Sequence, residues 1–469
     1  MYQSDYLQFI NFLDFLLLPF YLVAIFFVAY QIRERRYPVG HPWRKYFMPG
    51  LIFKIGGAIF ISLIYRYYYG WGDTALYHWH AKLINSAFDE SFTKWYNMLF
   101  RIPEWYEGGY AKYISQMDWY QAPAEYTVCT IVAILMIFTF NTFLPTAVIL
   151  AAIAFTGVWA LFRTFATKFP DYTKYIAIAT LFIPSTIMWG SGIFKDTICM
   201  FSLGWMTYGA FRLLINRDFR FRTVAITVVA FALLATIKLY ILIAFIPAII
   251  FWILASYSHK VRSAFVRFIL KFGVMAVCIG GFVYVMQEYS EVFGKYSLDK
   301  IAKTSYLISS YIQEQSGDEG SAYSLGDMDP SALGMLKKFP AAVNVTLFRP
   351  YLWETRKVIQ LINALEATIL LLVTIKVFVS VGFMQFWRTV FSDPTIQFCM
   401  IFTLVFAFAV GVSSGNFGTL SRYRIPCLPF YGLTLVLVYY KHFPIQINLL
   451  SFSIVSRRKV AWFNKGIAG

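Results

Sequence analysis

Charge is what this chain has least of. Lys, Arg, Asp and Glu make up 14% of its 469 residues, against 59% hydrophobic and 20% aromatic. That balance excludes an ordinary soluble globular domain and makes the chain an integral membrane protein. Other things are missing too. The five cysteines, Cys129, Cys199, Cys278, Cys399 and Cys427, have no paired spacing, which excludes a disulfide framework or a cysteine zinc site and leaves them as small core residues. No ten-residue alternation of apolar and polar positions occurs, so the spans are expected to be helices and not barrel strands. The opening "MYQSDYLQFINFLDFLL" has neither a basic segment nor a small-residue cleavage site, so no removable signal peptide is expected. The net charge is +17, yet the basic residues form no single patch, and nucleic acid is not an expected partner.

What is present is a series of apolar runs near the ~20 residues that cross a bilayer: 10–30, 47–66, 126–142, 145–163, 174–190, 197–214, 221–238, 240–257, 265–286, 360–383, 395–412 and 425–440. The expected fold is an all-α polytopic membrane protein of about 11–13 transmembrane helices, in one integral domain spanning residues 1–469. Basic residues fall in short segments between runs: Arg33, Arg35, Arg36, Arg44 and Lys45; Arg212, Arg217, Arg220 and Arg222; Lys260, Arg262, Arg267 and Lys271. By the positive-inside rule these segments, and the basic tail 441–469, face the cytoplasm. Residues 67–125 hold seven acids against four bases, and 287–359 hold nine against eight; both segments are expected to face outward. Parity then fails if 126–142 and 145–163 are both full crossings, because every later basic segment lands on the wrong side. The expected exception is "FNTFLPTAV", with Asn141 and Pro145 breaking a helix into a half-membrane piece.

Ionisable groups at membrane depth are costly and are functional candidates by default. Four groups are expected at the outward face. They are "GWGDTALYHWH" with Asp73, Tyr77, His78 and His80; "PSTIMWGSGIFKDT" with Lys195 and Asp196; "LFRPYLWET" with Arg349 and Glu354; and "SGNFGTLSRYRIPCLPFY" with Arg422 and Arg424. Lys238, in "LLATIKLYILIAF", lies at the same boundary. An acid facing arginines and lysines suits transfer from a lipid-linked sugar phosphate. The cations clamp the anionic leaving group, and the carboxylate takes the proton of the attacking hydroxyl. Each residue also has a plainer reading: Asp73 as a helix cap, Lys195 and Asp196 as a mutual ion pair, Arg349 and Glu354 as a loop anchor, and the histidines as interfacial residues. A divalent metal shared by Asp73, His78 and His80 is not expected, because side chains two positions apart on a helix diverge by about 200°; no cofactor is assigned.

The layout resembles the GT-C superfamily of polytopic glycosyltransferases, which use polyprenyl-phosphate sugars and keep an essential acid in an early outward loop. "GWGDTALY" matches that placement, and "RYRIPCLPFY" is similar to the Arg-Tyr-x-x-Pro-x-x-P element of protein mannosyltransferases and aminoarabinose transferases. The resemblance implies a membrane glycosyltransferase of bacterial surface-polysaccharide type, at the outer face of the inner membrane. It implies a lipid-linked sugar donor and a glycan, lipid or protein acceptor as partners. Asp73 would be the base, and Arg422 with Arg424 the phosphate contacts. Asp73 departs from the pattern in following the second apolar run and lacking an adjacent second acid.

Other readings stay open at the level of sequence: a polymerase or ligase of lipid-linked glycans, a transporter or flippase, or a catalytically silent scaffold. No internal repeat of the kind transporters use is visible. Residues 312–334, "IQEQSGDEGSAYSLGDMDPSALG", are the most polar stretch and are expected to be a mobile loop, with a lid over the acceptor side as the working hypothesis.

Overall fold

A computed structural model describes residues 8–105, 107–258, 323–326, 332–355 and 358–444, with isolated positions 266, 273 and 307. Nearly all of the expected span 265–286 and of the basic segment Lys260 to Lys271, most of the outward segment 287–359 and of its 312–334 stretch, and the tail beyond 444 lie outside the described residues. Those that are described form helices and no strand. Seven helices are long and apolar enough to cross a membrane, and three shorter apolar helices accompany them. The protein is an all-α, multi-pass membrane protein.

Helix α1 (Phe12–Arg36) leads to α2 (Arg44–Ile64), which a π-helical turn, Tyr65–Tyr69, extends. The first long polar segment then folds into α3 (Asp73–Ser86), α4 (Phe92–Leu99), α5 (Ala111–Ile114) and α6 (Pro123–Ile137). Next come α7 (Phe143–Lys168), α8 (Thr173–Leu181), α9 (Pro184–Trp189), α10 (Lys195–Gly209), α11 (Phe221–Ile237) and α12 (Leu239–Ser258). The C-terminal part holds α13 (Ala332–Lys337), α14 (Phe339–Phe348), α15 (Val358–Val381), α16 (Phe383–Ser392), α17 (Pro394–Ser414), α18 (Phe417–Tyr423) and α19 (Leu428–His442).

Lipid offers apolar side chains no gain from packing on one another, so helices associate through small residues, close contacts and polar ties. The α7–α10 seam shows the first device: a Cβ on Gly204 would collide with the Gly157 carbonyl, and one on Gly157 with the Phe201 carbonyl. Polar ties fix direction. The backbone N–H of Leu144 donates to Asp14 Oδ1 at 2.8 Å, and Trp159 Nε1 donates to the Tyr37 hydroxyl at 2.7 Å; α1 and α7 therefore run parallel. Trp205 Nε1 donates to Thr156 Oγ1 at 3.1 Å and Arg163 Nη2 to the Tyr208 hydroxyl at 3.0 Å, so α10 runs parallel to both. Farther along the chain, aromatic side chains do the packing: Trp252 of α12 stacks on Phe398 of α17 with centroids 4.6 Å apart.

These directions resolve the parity problem. Helix α6 has 15 residues, about 22 Å at 1.5 Å per residue, short of the ~30 Å core. At its start Glu125 accepts from Lys195 at the first residue of α10. Just past its end, the Asn141 carbonyl meets His78 of α3, next to the first turn of α7. Both ends of α6 thus lie at the end of the bundle where α7 and α10 begin. The break falls where the sequence placed it, but its cause differs. Phe140 and Asn141 adopt left-handed φ values of 54° and 56°, whereas Pro145 is the third residue of α7, where a missing N–H leaves no bond unmade. A second boundary also moves: the run 174–190 is not one helix, because Pro184 starts α9 after a non-helical Phe182–Ile183.

Candidate functional site

Asp73 is placed by the turn that ends α2. Gly70 and Gly72 take φ of 79° and 148°, and a Cβ on Gly72 would strike the Tyr65 ring, so only glycine fits there. The chain reverses, and α3 starts at Asp73 itself. The Asp73 side chain makes no cap bond; Gly72 occupies the cap position. The plainer capping role considered for Asp73 is therefore not what the fold uses, although a carboxylate in the first turn still favours the helix dipole.

The centre of the site is Asp196, 1% exposed in the first turn of α10. Its Oδ1 accepts from Lys238 Nζ at 2.5 Å and its Oδ2 from Arg422 Nε at 2.5 Å. Lys238 comes from the break between α11 and α12, and Arg422 from the last turn of α18, whose start is capped by the Asn416 side chain. Arg422 then uses Nη1 to donate to Asp73 Oδ2 at 2.9 Å. The guanidinium lies over Phe194 with its carbon 4.7 Å from the ring centroid, and Lys238 Nζ lies 4.3 Å from that of Tyr423, both within cation–π range. Burial opposes the charge on Arg422, yet the Asp196 carboxylate beside it, helped by Tyr65 and Asp73, holds the guanidinium well above its usual range. Two carboxylates and two cations, from four separate segments, form one chain that runs from a buried acid to a half-exposed one: the Asp73 side chain is 48% exposed.

Around this chain lie three further pairs. Lys195 Nζ donates to Glu125 Oε1 at 2.5 Å. Arg349 Nε donates to both Glu354 oxygens, at 3.0 and 3.1 Å, and its guanidinium carbon lies 5.2 Å from the Phe417 centroid. Arg424 is fully enclosed: Nη1 donates to the carbonyls of Arg349 at 2.8 Å and Thr346 at 3.3 Å, and Nη2 to Glu366 Oε1 at 3.3 Å. Glu366 also accepts from the Ser185 N–H and hydroxyl at 2.6 and 2.7 Å.

The structure thus brings Asp73, Asp196, Lys238 and Arg422 into one contact set and separates other candidates from it. Arg424, two residues from Arg422, points the opposite way into the protein and ties α14 and α15 to the α18–α19 corner. Asp196 has both oxygens taken by protein cations, which makes it a positioning residue for Arg422. Tyr77 is buried, with its ring 4.7 Å from Trp119. His78 and His80 are buried and diverge: His78 Nε2 meets the Asn141 carbonyl at 3.1 Å, while His80 Nδ1 lies 3.9 Å from Cys129 Sγ. Burial pushes both imidazoles down to about 4. Among the described residues, no group of three or more His, Cys, Asp or Glu side chains could hold a metal ion.

Four participants escaped the sequence reading: Glu366, Glu125, Asp14 and Lys54. Glu366 and Lys54 were findable, since each is a charge inside an apolar run; Lys54 is buried in α2 and donates to the Gly190 carbonyl. Asp14 sits close to the chain start, where its 2.9 Å bond from the Asn11 N–H reads as simple capping, and only the fold reveals its second bond to α7. No family model, curated protein or solved structure matches the chain.

Proposed function

We propose that this protein is a membrane glycosyltransferase that moves a sugar from a polyprenyl-phosphate donor to a hydroxyl acceptor at the non-cytoplasmic face of a bacterial inner membrane. The observation that carries this reading is the half-exposed Asp73 carboxylate 2.9 Å from an Arg422 guanidinium that Asp196 locks in place. Asp73 takes the proton of the acceptor hydroxyl as its oxygen attacks the anomeric carbon. The bond from that carbon to the phosphate oxygen breaks, and the departing phosphate pairs with Arg422, exchanging for Asp73 as the guanidinium's partner. Burying the far side of Arg422 against Asp196 fixes its orientation before substrate arrives, which lowers the reorganisation needed at the transition state. The orientation is supported by charge: Arg33, Arg36, Lys168, Lys174, Arg212 and Arg220 cluster at the bundle end remote from Asp73, as the positive-inside rule expects of a cytoplasmic face.

The test is turnover in nanodiscs with a panel of radiolabelled polyprenyl-phosphate sugars. Asp73→Asn is expected to lose about 10²–10⁴-fold in turnover, the usual worth of a general base, while still binding the lipid phosphate. Equal turnover by Asp73→Asn and the parent, or no binding of any polyprenyl phosphate, overturns the assignment. Movement of the intact lipid-linked sugar across the bilayer, with no bond broken, would identify a transporter instead.

A further inference from the structure

The first long polar segment carries an aromatic stripe that the proposed chemistry does not use. Phe88, Phe92, Tyr96 and Phe100 recur every four residues along α4 and its flanks, the spacing that stacks side chains along one helical face. Consecutive rings touch, with centroids 6.3, 6.4 and 4.8 Å apart. Each of the four is between 45% and 62% exposed. The opposite face of α4 is buried against α6: Thr130 Oγ1 donates to the Leu99 carbonyl at 3.0 Å, and the Tyr126 hydroxyl donates to the Met98 carbonyl. The polar edge carries Lys94, paired with Glu90 at 2.5 Å, and Asn97, which donates to the Tyr110 hydroxyl at 2.7 Å. So α4 is amphipathic twice over, with one apolar face on protein and another that no described residue covers.

What covers that second face follows from its depth. Trp95 Nε1 donates to Asn85 Oδ1 at 3.1 Å, and Asn85 Nδ2 donates to Asn141 Oδ1 at 3.0 Å. These bonds tie α4 to the turn after α6, where Phe138 and Phe140 are also exposed. The Phe138 carbonyl in turn accepts from the Tyr21 hydroxyl at 2.5 Å. Tyr21 lies well inside α1, an apolar span that protein leaves mostly uncovered. Its position, seven residues past Asp14, is about 10 Å along the helix. The turn, and through it the stripe, therefore stands level with a part of the chain that lipid already covers.

We infer that the Phe88–Phe100 stripe lies in the headgroup–acyl boundary of the leaflet at the Asp73 end, making this segment a monotopic shelf on the same bilayer that the spans cross. The partner is the lipid surface: aromatic rings suit its boundary region, and the Lys94 edge faces the headgroups. The inference does not depend on glycosyl transfer.

The test uses the full chain with Cys278→Ser in phosphatidylcholine proteoliposomes; the four described native cysteines are buried, so a bimane label goes to an engineered thiol. Phe92→Cys and Phe100→Cys place it on the stripe. Phe20→Cys on the open face of α1 serves as the lipid standard and exposed Ser115→Cys as the water standard. Bromine-labelled acyl chains are expected to quench the stripe labels to within about twofold of Phe20→Cys, with iodide quenching at least about threefold weaker than at Ser115→Cys, as for an interfacial helix. Because both stripe positions are exposed, neither substitution removes core packing, and gel-filtration homogeneity checks each. Iodide quenching equal to that of Ser115→Cys, with no bromolipid effect, overturns the inference.

Discussion

The two ends of the helical bundle handle charge in opposite ways. At the Asp73 end, the pairs built on Asp196, Arg422 and Arg424 join segments remote in sequence: Asp196 with Lys238, Asp196 with Arg422, Arg422 with Asp73, and Arg424 with Glu366, while Arg349 with Glu354 and Lys94 with Glu90 are local. At the far end, bases exceed acids and the pairs are mostly local, as in Arg33 with Glu34, Arg44 with Glu34, and Arg212 with Asp218. A local pair between side chains that water partly reaches, as it does these, stabilises little, because water solvates both charges in its absence. A buried, long-range pair has no such fallback. Burying the charges costs several kcal/mol each before the pairing offsets it. Such a network is therefore a poor way to hold helices together and a good way to hold one guanidinium still. The difference between the ends locates the part of the molecule that is built for something other than stability.

Breaking the long-range network should have the largest effect. Asp196→Ala removes the carboxylate that the buried Lys238 shares with Arg422 and leaves Arg422 only its bond to Asp73; it is expected to destabilise the protein by about 3–5 kcal/mol, the cost of an uncompensated buried charge. Thermal unfolding in detergent, followed by exposure of the buried cysteines, measures it; a shift no larger than that of a surface substitution would show that water reaches the pair. Arg422→Lys is the sharper variant. A single ammonium cannot reproduce an Nε bond to Asp196 together with an Nη1 bond to Asp73. It should keep most of the stability, since the charge stays, and lose turnover and lipid-phosphate binding together in the nanodisc assay.

How far this contrast is visible in sequence depends on the residue. The helical membrane class follows from composition, and the charge asymmetry between ends from the placement of Arg33 to Lys45 and Arg212 to Arg222 along the chain. Parity even required one non-crossing piece, and α6 is that piece. The partners inside the site were not legible. Arg422 and Arg424 look equivalent in "SRYRIP", yet two residues on a helical corner turn one guanidinium to Asp196 and the other to the Arg349 carbonyl. Nor does sequence order suggest that Lys238 would meet Asp196, because that contact exists only through the way α10, α11 and α12 pack. The burial of His78 and His80, expected as interfacial or substrate-contacting residues, was not legible for a related reason: the apolar face that α6 lays over α3 is set by the turn at Phe140 and Asn141, which no local propensity demands.

A middle-sized effect belongs to those histidines, and it extends the contrast from ion pairs to neutral groups. Burial holds both rings near 4, against an ordinary value of 6.5. Folding thus favours the neutral form, and its contribution is fully present above about pH 6.5 and is lost as pH falls toward 4. Docking of α3 on α6 should weaken over that window, which hydrogen exchange of the 75–86 amides at pH 7 and pH 4.5 would show. His80→Asn should flatten part of the dependence, because an amide does not titrate; an unchanged pH profile in that variant would assign the effect to other groups.

The smallest effect is expected from the best cross-segment pair at the basic end, Lys441 with Asp393, where Lys441 Nζ lies 2.6 Å from Asp393 Oδ2 and the lysine side chain is 32% exposed. Lys441→Ala should cost no more than about 1 kcal/mol, the range of partly solvated pairs. Asp393 keeps a second occupation without the lysine, since its Oδ1 caps α17 through the Thr395 N–H at 2.8 Å. The carboxylate is therefore not left stranded as Lys238 would be in Asp196→Ala. Measured side by side in the same detergent, the two substitutions compare a carboxylate that is shared between buried cations with one that has a helix end to fall back on. If Lys441→Ala proves as damaging as Asp196→Ala, the ends do not differ in the way argued, and the network around Asp196 is ordinary scaffolding.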